Sequence, residues 1–173
     1  MAITGGIKFF DKSKTLFADG TTIVAGVSGD PSAEFTIDRN RLSYYRSVGS
    51  NDTITETLTI TLPSAQTIDR ILILDHNWKE FTIKYDSATD FTSVVGLDGA
   101  LGGGISETVF ADGTAYYEFD SVSVTSTIEI AITKTQVANA QKFVNQIIGT
   151  TEIGTLVGYP VVGLSQDRNI RAK

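Results

Sequence analysis

The sequence predicts an all-β protein built as an antiparallel sandwich, and three observations carry that prediction. Thr, Ser, Val, Ile, Tyr and Phe dominate, while Gly, Asp and Asn interrupt at short intervals, the pattern of many short strands joined by turns. Residues 54–62, ITETLTITL, alternate apolar and polar side chains with strict period two, which gives one buried and one wet face. Residues 60–87 place two apolar, β-branched runs (68–74 and 81–85) on either side of a polar, aromatic stretch, DHNWKE at 75–80. Strand, decorated loop, strand is how a sandwich presents a recognition surface.

Taken in order, the N-terminal residues 1–27 read as a strand or arm, with Ile7, Lys8, Phe9 and Phe10 as its apolar part. The FADGT pieces at 17–21 and 110–114 are each centred on Asp-Gly, a favoured turn pair because both positions tolerate positive φ. The match ends at the turn, so it reflects shared turn chemistry and not an internal duplication. Residues 38–45 are a weak candidate for a helical turn. Residues 114–133 repeat the alternating logic, with Tyr117, Phe119, Val122, Val124, Ile128, Ile130 and Ile132 as the expected inward positions. The glycine-rich residues 96–104 lack the Gly-Lys-Ser/Thr of a phosphate loop and read as a long inter-strand connection. Residues 134–143, KTQVANAQKF, form a short turn of helix or an extended connection before a last strand at 144–148. From 150 to 173 the pattern is irregular and ends in basic residues, an arm leaving the sandwich body of 28–149.

Composition sets bounds on function. A 41% hydrophobic fraction with 20% charged residues excludes wholesale disorder over the 173 residues. A formal charge of −6 argues against nucleic-acid binding, which needs clustered Lys and Arg to neutralise phosphates. With no cysteine, disulfides, thiolate zinc sites and cysteine nucleophiles are excluded. The N-terminus has no signal-peptide core, and no run of about 18 apolar residues predicts a membrane span. A serine triad would have to use His76, the only histidine, as its base, and no Gly-x-Ser-x-Gly elbow is present. Asp75 and Glu80 as a glycosidase pair are better explained as solvated charges, so no enzyme is expected.

Several residues are candidates for binding. Trp78, the only tryptophan, would stack on a sugar or peptide while Arg70, Asp75, His76 and Asn77 supply polar contacts. The bland alternative is that Trp78 caps the sandwich edge and His76 satisfies a loop carbonyl. Asp30, Asp38, Asn40 and Asp52 could offer oxygen ligands to calcium, although turn-forming Asp and Asn explain the same residues; no other cofactor is expected. In the arm, Ile153, Leu156, Val157, Tyr159, Val161, Val162 and Leu164 exceed what a solvated tail needs, so the arm is expected to pack on its own body or on a neighbouring copy.

The order of these pieces resembles a known family. SAEFTIDRNRLSYYRS at 32–47 is similar to the opening of galactose-binding-like, discoidin-type jelly rolls, with Tyr45 where the family usually has Trp and Asn40 where it usually has Gly. Residues 58–62, 67–77 and 81–87 resemble the strands that follow, and 116–119, 127–133 and 143–149 the closing ones. The resemblance covers residues 28–149 and implies a jelly-roll topology. The ending ANAQKFVNQIIGTTEIGTLVGYP also resembles discoidin-type domains of tailed-bacteriophage tail proteins, in which an extended arm follows the jelly roll. That implies a virion structural protein of the tail or baseplate, made in the host cytoplasm, whose partners are other virion proteins and copies of itself. The alternative is a carbohydrate-binding module that attaches to cell-surface glycans through residues 75–80.

Overall fold

A computed structural model describes residues 7–10, 19–26, 31–38, 40, 42–49, 52–86, 92–93, 105–106 and 113–156. Its strands are β1 (Ile7–Phe10), β2 (Thr22–Ala25), β3 (Tyr45–Arg46), β4 (Glu56–His76), β5 (Trp78–Asp86), β6 (Thr92–Ser93), β7 (Ile105–Ser106), β8 (Ala115–Thr135), β9 (Phe143–Thr150) and β10 (Glu152–Leu156). Every pairing among them is antiparallel. The expected all-β jelly-roll sandwich is the fold observed.

Two 21-residue strands, β4 and β8, organise the sandwich because each changes neighbours halfway along. Residues 56–61 of β4 pair with 127–132 of β8, with β2 on the far side of β4 and β5 on the far side of β8. Residues 70–73 pair instead with 115–118 of β8 and with 147–150 of β9, and β3 closes that layer at its edge. Register shifts between Thr61 and Gln66 and between Ile68 and Arg70 mark the bend from one layer to the other.

The period-two reading holds over residues 56–62 of β4, where Leu58, Ile60 and Leu62 are buried. The strand starts two residues later than expected, however, and leaves Ile54 exposed, while Glu56 takes an inward position. In β8, Ile128, Ile130 and Ile132 point inward as expected, but Val124 is exposed and Thr125 is buried. The strand reverses its buried face where it passes between layers, and a fixed alternation cannot follow that. The side chains of Tyr117, Phe119 and Val122 lie outside the described residues.

Residues 134–143 are not helical: β8 runs to Thr135, turns follow, and β9 begins at Phe143. The helical turn sits earlier than expected, as a 3-10 helix at Pro31–Ile37. Both Asp-Gly turns have their glycine at positive φ, +88° at Gly20 and +72° at Gly113. The glycine-rich stretch at 96–104 lies outside the described residues.

At the termini the described parts of the two expected arms pair with each other, while Val157, Tyr159, Val161, Val162 and Leu164 lie outside the described residues. β1 and β10 form a separate two-stranded ribbon, Ile7 opposite Leu156. β2, although within residues 1–27, is part of the sandwich.

Candidate ligand-binding site

The five residues expected to form a recognition loop are not a loop. β4 continues to His76 and β5 begins at Trp78, which leaves Asn77 alone between them. Trp78 is 0% exposed, in ring contact with His76 (5.1 Å between centroids) and Phe81 (5.4 Å). His76 is buried too, and its Nδ1 accepts a hydrogen bond from the Trp78 backbone N–H at 3.1 Å. The pair is a piece of core, so neither ring is presented to a ligand and neither is placed for acid–base work.

The Asn77 side chain is spent on the protein itself. Its Nδ2 donates to the Gln141 carbonyl (2.7 Å) and its Oδ1 accepts from the Phe143 backbone N–H (2.9 Å), which stitches the β4–β5 junction to the β8–β9 turn. Asp75 is exposed at φ 51°, a left-handed conformation that Asp tolerates better than most residues. Glu80 pairs with Lys134 at 2.9 Å on the surface. Arg70 is elsewhere: it sits six residues back along β4, roughly 20 Å from His76 at strand rise, and binds Glu152 at 2.8 Å beside Asp69. The five therefore do not converge.

The proposed calcium ligands do not converge either. The Asp38 carboxylate accepts from the Asn40 backbone N–H (2.7 Å), Ser43 Oγ (2.7 Å) and Gln146 Nε2 (3.2 Å), which makes it the anchor of its own turn. Asp52 accepts from Thr135 N (3.2 Å), Thr135 Oγ1 (3.0 Å) and Asn139 N (3.0 Å). Asp30 lies outside the described residues. Among the described residues no three acidic or histidine side chains cluster as a metal site.

A run of alternately exposed side chains lies on the segment leading into and out of β3. Leu42, Tyr44, Arg46 and Val48 all face solvent while Tyr45 and Ser47 are buried, the signature of an extended edge with one face in the core. Leu42 is 91% exposed, Tyr44 46% and Val48 69%. The Arg46 guanidinium lies over the Tyr44 ring, 5.3 Å from its centroid, and Phe143 meets the same ring edge-on at 6.4 Å. Arg46 and Phe143 are cross-strand partners, so the two hold the ring from opposite elements.

Beneath this stripe the backbone is fixed. Ser47 N donates to the Lys142 carbonyl and Lys142 N to Ser47 Oγ, both at 2.9 Å. Gln141 Nε2 reaches the Ser47 carbonyl at 2.9 Å, and Asn145 Nδ2 reaches the Ser43 carbonyl at 2.9 Å. The buried Lys142 ammonium donates to the Ile54 carbonyl at 3.0 Å. Burial pushes that ammonium below its ordinary range, against the pull of Asp52 and Glu56. Burial alone would raise the Asp52 carboxyl. The hydrogen bonds from Asn139 and Thr135, helped by the Lys142 charge, outweigh that and hold it below the usual carboxylate range. A platform fixed this way is pre-organised. Sequence reasoning passed over Tyr44 and Arg46, and the signal was the YYR triplet itself: in an edge strand its middle residue goes in and its flanks go out.

No family model and no curated protein matches this sequence. Solved structures do. The chain is similar to chitosan-binding module 1 from the chitosanase/glucanase of Paenibacillus sp. IK-5, at 14% identity and a TM-score of 0.59, over 78% of this chain and 97% of that one. It is also similar to the family 32 carbohydrate-binding module of Clostridium perfringens NanJ, solved with galactose (17% identity, TM-score 0.59, 76% and 93%). A third is the family 32 module of AlyQ, solved with 4,5-unsaturated mannuronic acid (18% identity, TM-score 0.55, 74% and 92%). The fold is the discoidin-type, galactose-binding-like jelly roll of these modules.

Proposed function

We propose that the chain is a carbohydrate-binding module that grips a glycan on the stripe from Leu42 to Val48, without chemistry of its own. The observation that carries the reading is the half-exposed Tyr44 ring, fixed between the Arg46 guanidinium and Phe143 on a braced edge. A flat aromatic face suits the apolar face of a pyranose, and an adjacent planar donor suits its oxygens. The fold neighbours support the same class of function, since they are carbohydrate-binding modules. Titration calorimetry against an oligosaccharide panel tests it: binding should weaken roughly tenfold in Tyr44→Ala and be kept in Asp75→Ala. The opposite outcome would return the site to residues 75–80.

A second reading, a virion tail or baseplate component working through subunit contacts, draws on the terminal ribbon. An isolated two-stranded ribbon is marginal in water, and Ile153 on β10 is exposed. Light scattering at several concentrations separates the two: a discrete multimer favours assembly, and a monomer across the range removes the support.

A further inference from the structure

We propose that the Gln146 side-chain amide does the work of a bound cation, holding the turn that opens the 42–48 stripe without calcium. Gln146, on β9, is buried. Its Nε2 faces four oxygens: the carbonyls of Phe35 (2.9 Å), Asn145 (3.1 Å) and Asn40 (3.4 Å) and the Asp38 carboxylate (3.2 Å). All four are acceptors, so the end of the amide turned towards them is the donor nitrogen. Three of them lie 106 to 111 residues away in sequence, so this single side chain ties the segment around residues 35–40 to β9.

Calcium at Asp38 and Asn40, open on sequence grounds, does not fit this geometry. Calcium takes about six to eight oxygens at roughly 2.3–2.6 Å, each giving a lone pair. Here four oxygens close on a nitrogen at hydrogen-bond distance, and an amide N–H gives hydrogens and no lone pair. Asp38 is spent elsewhere as well, on the Asn40 N–H at Oδ1 and the Ser43 hydroxyl at Oδ2, both 2.7 Å. A carboxylate and three carbonyls around one point carry negative potential, and the amide hydrogens offset it as a small cation would. The tie reaches the stripe directly. Asn40 Oδ1 accepts from the Leu42 N–H at 3.1 Å, and Ser43 Oγ donates to both the Asp38 carboxylate and the Asn40 carbonyl.

Thermal unfolding of the full chain, in EDTA and in excess calcium, separates an amide from a metal. The wild-type midpoint should be the same in both, because a place already filled by a donor gains nothing from the ion. Gln146→Glu replaces that donor with a carboxylate. Its midpoint should fall by about 5 °C or more in EDTA, and calcium should restore most of the loss, since only oxygens then face one another. A wild-type midpoint that rises with calcium overturns the proposal, as does a Gln146→Glu midpoint that matches wild type in EDTA or stays low in calcium. Should that variant not fold, calorimetry of calcium into the wild type decides: no binding heat supports the amide, and saturable binding overturns it. No sugar enters either measurement, so the outcome is independent of the carbohydrate-binding reading.

Discussion

Tyr44 and Arg46 are neighbours in space because they are two apart in an extended segment, and their side chains emerge on the same face. Arginine restricts the ring and the ring restricts the arginine, so little rotamer freedom remains to be lost on binding. Truncating the ring removes the stacking surface, worth up to about 1.5 kcal/mol in aromatic pairs. That corresponds to roughly a tenfold loss of affinity. Because the ring is half exposed, Tyr44→Ala should leave the thermal midpoint nearly unchanged, so a fall in affinity would report on binding and not on folding. Trp78 makes the contrast at the same scale. It stands among polar residues, DHNWKE, a context that fits either an exposed stacking ring or a cap on the sandwich edge. Its ring takes the inward option and closes the core with His76 and Phe81, because β5 begins at Trp78 and is paired there with Thr135. Register shifts on either side of Glu80 then let Trp78, Phe81 and Ile83 all face inward, which no fixed alternation allows.

Among the elements, the legible parts are the regular ones. Residues 58–62 of β4 and 128–132 of β8 keep strict alternation, and their buried faces follow from hydrophobicity alone. What was not legible is where each strand leaves one layer for the other: a bulge changes which residues face inward without changing their types. The turns were legible where glycine marks them. Gly113 combines φ +72° with a backbone approach so close that an added Cβ would lie 2.7 Å from the His76 carbonyl oxygen. Neither the φ nor a strand carbonyl can yield cheaply, so Gly113→Ala should destabilise by about 2 kcal/mol. Gly49→Ala, where a Cβ meets nothing within 4 Å, should be close to neutral. Thermal unfolding of the two variants checks this, and equal midpoints would contradict the close approach.

At the scale of the whole molecule, the jelly roll was legible because its strands come in a recognisable order, and Tyr45 in the opening segment is buried in the core. The site was not legible, because it depends on which face of a two-residue edge strand looks outward and on loops tied together across some 90 residues of sequence, as Ser47 is to Lys142 and Gln141. Of the two outcomes open to the arms, their described parts pair within the chain, Ile7–Phe10 against Glu152–Leu156, and Arg70 to Glu152 ties that ribbon back to β4. The stripe proposed for binding and the ribbon proposed for assembly are built from different elements, β3 and the β1–β10 pair. The most direct test is to map amide chemical shifts as an oligosaccharide that binds is titrated into the full chain. The account predicts perturbations clustered at residues 42–48 and at Phe143, with 75–80 unmoved. Perturbations centred on 75–80, or on neither segment, would contradict it.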